Sequence, residues 1–259
     1  MNADKTIGIF DSGMGGLSVL HRAMKDMPTA DFIYYADEEH VPYGEKTKET
    51  VRGYMKDIFR FFEERNVSAV IVACNTATST LSADFRASFP FHVIGMEPAV
   101  KLALDTYGKE KKVLVAATPI TVKGEKLKKL IDKYDTGGNV DSVALPELVR
   151  FAEKGNFGSE EVYNYIEKAL EGYDKKKYSS LVLGCTHFNY FKPLYKRIFG
   201  EIHLLDGNKG TVSRCISLTG QLHGEGKVEY FISGKTPSQA NMEKIQKSLK
   251  RLEEVYDIN

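Results

Sequence analysis

Two cysteines stand in matching contexts in this 259-residue chain. Cys74 follows a run of apolar residues and precedes Asn75 and Thr76. Cys185 follows a similar run and precedes Thr186 and His187. Each reads as the carboxyl end of a buried parallel strand, where open α/β sheets bind ligands. The plain alternative is a small buried hydrophobe, but the polar residues that follow suit substrate atoms and spoil a core. Two thiols facing each other across a cleft permit a particular reaction: one takes a proton from one face of a carbon, the other returns a proton to the opposite face, and the centre inverts. A free thiol titrates near about 8.5, and a neighbouring cation or helix N-terminus lowers that value toward the range useful for acid–base work. Cys215 sits in a helical stretch without notable polar neighbours and reads as structural. No CxxC pair exists, so neither a structural zinc site nor a disulfide framework is expected, and no metal is assigned.

Other residues gather around this pair. His187 could stabilise a thiolate at Cys185 or shuttle its proton; alone, it would read as an ordinary histidine. Asp11 ends an apolar run just before Ser12-Gly13-Met14-Gly15-Gly16. It is either a helix cap or a carboxylate that orients a substrate ammonium or assists a thiol, with Ser12 adding a hydrogen bond. The glycines allow close backbone approach to a ligand. Val41-Pro42-Tyr43-Gly44 reads as a turn whose Tyr43 and Gly44 amide could grip a carboxylate. Thr118 and Thr121 follow the strand equivalent to the one before Asp11. Asn75, Thr76, Thr118 and Thr186 could stabilise a developing carbanion. Glu153, on a short helix after Pro146, reads by itself as a solvated charge.

The elements that must position these groups alternate between strand and helix. Strands are expected at 6–10, 31–36, 68–73, 93–96, 112–116, 180–183, 201–205 and 228–232. A helix over 47–65 is marked by Val51, Tyr54, Met55, Ile58, Phe61 and Phe62 at three- and four-residue steps. Further helices are expected over 124–133 and 160–170. The last helix is expected to open with Thr236 as cap, Pro237 as first helical residue and Gln239 as capping-box partner. This alternation is that of an α/β fold with largely parallel sheets. A faint internal repeat supports two related halves: SAVIVACNT (68–76) resembles SSLVLGCTH (179–187), and TIGIFDS (6–12) resembles KVLVAAT (112–118). The expected division is 1–97 plus 207–259 on the Cys74 side and 98–206 on the Cys185 side, with the active site in the cleft between them.

Composition narrows the function classes. Lys and Arg number 36 against 35 Asp and Glu, so no bulk charge draws the chain to nucleic acid or anionic membrane. The longest apolar stretch is far too short to span a bilayer. Residues 1–4 are polar and no apolar signal core follows, so a cytoplasmic location is expected.

The motifs DSGMGGLSVL (11–20), VPYGEKT (41–47), VACNTATS (72–79) and LGCTHF (183–188) resemble, in order and spacing, those of the glutamate racemase family within the cofactor-independent aspartate/glutamate racemase superfamily. The resemblance spans nearly the whole chain. It implies two pseudo-symmetric α/β domains, commonly in a homodimer. It also implies interconversion of L- and D-glutamate without a cofactor, supplying D-glutamate for peptidoglycan. Carried over by motif, Cys74 would take the α-proton of D-glutamate and Cys185 that of L-glutamate, assisted by Asp11 and His187 respectively. Ser12, Tyr43, Gly44, Asn75, Thr76 and Thr186 would bind substrate, and Glu153 matches an acidic position near the site.

Three stretches depart from the family pattern. Glu38-Glu39-His40 stand where a small residue or Thr, then Ala and Arg, usually precede VPYG. Phe188-Asn189-Tyr190-Phe191 replace Tyr-Pro-Leu-Leu, and Leu145-Pro146 replaces Cys-Pro. Rival readings are the same chemistry on aspartate, a thiol-redox role for two cysteines in one cleft, and nucleotide binding. The last would use Gly13-x-Gly15-x-x-Ser18 with Asp37 on a ribose, but it leaves both cysteine segments unexplained.

Overall fold

The computed structural model describes residues 6–108 and 111–259, so the polar stretch 1–4 lies outside the described residues. Its strands are β1 (Thr6–Asp11), β2 (Asp31–Ala36), β3 (Ala69–Val72), β4 (His92–Gly95), β5 (Lys112–Ala117), β6 (Val140–Ala144), β7 (Tyr178–Leu183), β8 (His203–Leu205) and β9 (Val228–Ile232). They form two sheets, ordered β4-β3-β1-β2-β9 and β6-β5-β7-β8. Every pairing between these strands is parallel. The expected α/β class with parallel sheets is therefore what the chain adopts.

Alternation along β1 shows how the sheets are covered. Successive side chains point to opposite faces. Ile7 and Ile9 join a large apolar cluster that also holds Ile71, Leu114 and Leu181, residues of both sheets. Phe10 faces the other way, into a cluster with Met55, Phe59 and Phe62. Gly8 lies on that same face because Phe62 packs where a Cβ would stand, 2.7 Å from its ring carbons. The helix that supplies these groups runs Lys48–Glu63, with Val51, Met55, Ile58, Phe59 and Phe62 buried. Its cap is Thr47, whose hydroxyl accepts the Thr50 amide.

Three local readings are corrected. The last helix is Gln239–Glu254, and its cap is Ser238, not Thr236: the Ser238 backbone is extended and its hydroxyl accepts the Asn241 amide at 3.2 Å. Pro237 therefore precedes the cap instead of starting the helix. Strand β6 escaped the sequence reading because it is an edge strand in which only Val143 is fully buried, so its alternation is weak. The helix Val100–Tyr107 also went unread, and only Val100 and Ala103 of it are buried.

Candidate active site

The carboxyl ends of the two sheets carry the chemistry-bearing residues. Asp11 ends β1, and Cys74 follows β3 by two residues. Thr118 directly follows β5, and Cys185 follows β7 by two. These ends are joined by side-chain bonds. The Thr186 hydroxyl donates to Asp11 Oδ2 at 3.0 Å, and the Thr76 and Thr118 hydroxyls lie 3.0 Å apart. The Thr118 hydroxyl in turn donates to Thr121 at 3.1 Å. Cys74 and Cys185 are 6% and 7% exposed, and Asp11 is fully buried.

Cys74 has a hydroxyl and carboxylate environment. Its sulfur lies 3.6 Å from Ser12 Oγ and accepts the Ala77 amide at 3.4 Å. Burial, then the Asp11 charge, pushes this thiol up to about 12, and the two hydrogen bonds only partly offset them. The following helix is a single turn, Asn75–Thr78, whose Ala77 amide reaches the sulfur, so the expected lowering by a helix N-terminus is present but outweighed by burial and Asp11. Asp11 is not the cap of helix Leu17–Asp26, whose cap is Gly16. Its Oδ1 accepts the Gly13 amide at 2.9 Å. Burial raises the Asp11 carboxyl above 3.8 despite His187, Gly13 and Thr186, which makes it a stronger base than an exposed aspartate.

Cys185 has a cationic environment. His187 Nδ1 lies 3.8 Å from its sulfur, and Nε2 lies 2.6 Å from Glu153 Oε1. Burial works against a charged ring, but Cys185 and Glu153 outweigh it and hold His187 well above 6.5. In that state Nε2–H donates to Glu153. The Gly15 amide, 3.2 Å from the same nitrogen, can bond it only when the ring is neutral. Glu153 is no solvated charge: its Oε1 also accepts the Met14 amide at 2.7 Å, and its Oε2 accepts from Lys244 Nζ at 2.7 Å. Burial opposes ionisation there, but His187 and Lys244 outweigh it and lower the carboxyl to about 2.

The glycine turn fits between these groups only because it lacks side chains. A Cβ on Gly13 would stand 2.0 Å from Glu153 Oε1, and one on Gly15 2.3 Å from His187 Nδ1. Its carbonyls are pinned by tyrosines: Tyr34 donates to Gly13 O and Tyr190 to Met14 O, each at 2.6 Å. Tyr190 belongs to the Phe188–Phe191 departure, whose four residues are all buried. The loop amides are thus engaged within the protein at Gly13 and Met14, so they do not present the open cradle that a pyrophosphate needs. Asp37, the residue that a ribose would require, instead accepts from Tyr43 Oη at 2.5 Å and lies 2.8 Å from His40 Nδ1.

Tyr43 and Gly44 form a 3-10 turn, Tyr43–Glu45, with Gly44 against the Thr118 side chain. The Tyr43 hydroxyl is committed to Asp37, so Tyr43 offers the site its ring and the turn its anchor. Asn75 donates its amide to Met96 Sδ at 3.3 Å, while its buried Oδ1 has no partner. That acceptor is available to a ligand, and the threonine hydroxyls become so by giving up their bonds to one another and to Asp11. Among the described residues, no cluster of His, Cys, Asp or Glu is arranged to hold a metal ion. Sequence reasoning missed Lys244 and the Asp37 bond to Tyr43. Lys244 gave no motif, being one lysine among many on an exposed-looking helix.

Two parallel sheets each place a buried thiol just beyond a strand's carboxyl end, with Ser12 beside one and His187 beside the other. Residues 15–215 match the Asp/Glu/Hydantoin racemase family, and the chain belongs to that family. It is 47% identical to a glutamate racemase of Lachnospira eligens, covering 97% of this chain and 99% of the relative. It is 44% identical to one of Campylobacter curvus, with 97% and 99% covered. Its fold is similar to that of Escherichia coli glutamate racemase solved with L-glutamate and the activator UDP-MurNAc-Ala. That match has a TM-score of 0.82 at 28% identity, over 95% of this chain and 94% of that one.

Proposed function

We propose that the protein is an isomerase that interconverts L- and D-glutamate by two-base proton transfer. Cys74 takes the α-proton of D-glutamate and Cys185 that of L-glutamate, and the opposite thiol returns a proton. The observation that carries this reading is the pair of buried thiols that follow β3 and β7, with Ser12 beside one and His187 beside the other. Asp11, with Ser12 beside the sulfur, receives the proton that Cys74 must shed. His187 gives Cys185 a charged donor while that sulfur is negative.

The α-proton of an amino acid is weakly acidic. The reaction therefore needs fixed dipoles on the α-carboxylate and exclusion of water. Thr76, Thr118, Thr121 and Thr186 supply hydroxyls, Asn75 Oδ1 supplies an acceptor for the ammonium, and Tyr43 and Gly44 close the far side. The proposed chemistry calls on these residues and on no cofactor. The working unit is two α/β domains, 1–97 plus 207–259 and 98–206, with the site in the cleft between them. The working form is a cytoplasmic homodimer that supplies D-glutamate for peptidoglycan. No described helix is long and apolar enough to cross a membrane.

The test is incubation with L- and D-glutamate in deuterated water, following circular dichroism and the α-hydrogen signal by proton NMR. Racemisation with deuterium entering the α-carbon is expected, and aspartate is run beside it to set the substrate preference. Cys74→Ala and Cys185→Ala should each lose about 10²–10⁴-fold or more, the span of one acid–base group. Full activity in either variant would overturn the two-thiol assignment.

A further inference from the structure

The helper set of Cys185 does not end at Glu153. Lys244, on the helix Gln239–Glu254, places its ammonium 2.7 Å from Glu153 Oε2 and 2.7 Å from Glu38 Oε1. Asn241, one turn earlier on that helix, reaches Glu38 Oε2 at 3.4 Å. Glu38 follows β2 of the first sheet, whereas Glu153 ends the helix Glu147–Glu153 after β6 of the second. The lysine therefore ties elements that follow different sheets. It also explains one member of the 38–40 departure: Glu38 is the anchor for a C-terminal cation.

We propose that Lys244 is a positioning residue of the racemisation site, whose ammonium, held by Glu38, fixes the Glu153 carboxylate that orients His187 beside Cys185. This inference rests on the two-thiol reading above. Glu153 Oε1 serves His187 and the Met14 amide, while Oε2 is bonded to Lys244. A carboxylate bonded through both oxygens cannot rotate, so its direction toward Nε2 is set. A side chain with three N–H donors can hold two carboxylates at once. Lys244 also balances charge. Glu153 meets the titratable or charged groups Asp11 from β1, Tyr34 from β2, His187 and Tyr190 from the turn Thr186–Phe191, and Lys244 from the last helix. Cys185 faces the same histidine, and Glu38 faces the lysine. Removing the cation makes every neighbouring group hold its proton more tightly.

The two enantiomers are equal in energy in water, so kcat/KM must be the same in both directions for any variant. A directional bias thus cannot report on this residue, but the pH profile can. The test compares pH profiles of kcat/KM for glutamate in the full-length wild type, Lys244→Met, Lys244→Arg and Glu38→Gln, with Cys185→Ala alongside. Lys244→Met should lower kcat/KM and move both limbs of the profile to higher pH, because the lost cation stands one carboxylate away from His187. Lys244→Arg should return the limbs to their wild-type positions. Glu38→Gln removes an anion and should move them to lower pH. A folded Lys244→Met protein with limbs at the wild-type positions would overturn the inference. If Lys244→Met does not fold, Glu38→Gln decides: a downward shift supports the inference and unmoved limbs overturn it. Retained activity in Cys185→Ala would overturn the two-thiol reading and this inference with it. Loss of activity there, with unmoved limbs in the charge variants, overturns this inference alone.

Discussion

Glu153→Gln tests the electrostatics of the site without touching either thiol. The substitution keeps the side-chain shape and an acceptor for Met14, but removes the charge that faces His187 and Lys244. The structure sets the magnitude. A carboxyl moved from 4.5 to about 2 contributes about 3 kcal/mol of folding stability by linkage. The sign follows from the direction. Because the Glu153 value is lowered on folding, its contribution is full above pH 4.5 and is lost as pH falls through about 2. The His187 value is raised on folding, so the contribution seen from its side is full below pH 6.5 and is lost as pH rises through the higher folded value. Both are full between these limits, and the shared pair is counted once. Urea unfolding of reduced wild type and variant, followed by far-UV circular dichroism from about pH 4 to 9, should show a difference near 3 kcal/mol at about pH 5.5. The difference should shrink on either side. A difference that is flat across pH, or below about 1 kcal/mol at pH 5.5, would refute a buried ion pair and leave only a neutral hydrogen bond.

Two further outcomes follow from contacts elsewhere. Gly15→Ala brings a Cβ within 2.3 Å of His187 Nδ1 and 2.5 Å of Thr186 Oγ1. Both neighbours are buried, so kcat should fall about 10²-fold, the cost of displacing a catalytic group by about 1 Å, as read in the circular dichroism racemisation assay. Ser238→Ala removes the cap of the last helix and should lower stability by about 1 kcal/mol in urea unfolding; an unchanged midpoint would show that the helix is held by packing alone.

Legibility in the sequence followed the strength of local patterns. The strands before Asp11, Cys74 and Cys185 are short, apolar and wholly or almost wholly buried, so they read as strands and fixed the two thiols at strand ends. The cap of the last helix misled because Thr236 and Ser238 flank Pro237 symmetrically in type, and only backbone direction chooses between their hydroxyls. Glu153 looked solvated because its partners, His187 and Lys244, are 34 and 91 residues away in the chain, and no period or spacing encodes such pairings. Asp37 was legible as the residue after β2 but not as the anchor of Tyr43, which lies six positions further along the chain and is brought back to the carboxylate only by the fold. In each case what stayed hidden was a polar contact set by tertiary geometry, while the apolar frame that imposes it was open to reading.

The two thiols are served differently, and that asymmetry bears on turnover. On the proposed assignment each conversion leaves the thiols with exchanged protonation, so the site must return to its starting state before the same enantiomer can react again. Cys74 rests as a thiol, pushed to about 12 by burial and by Asp11. A negative sulfur there is costly, and the buried carboxylate beside it makes that state worse until Asp11 itself takes a proton. Cys185 instead faces a cationic ring whose charge is sustained by Glu153. Thr186 connects the two sides, because its hydroxyl donates to Asp11 while its neighbour His187 faces Cys185. Identical thiols backed by identical helpers would have one resting state too many. A carboxylate on one side and an imidazolium on the other make the surroundings of the two sulfurs unlike, and every residue that holds those groups in place shares in that difference.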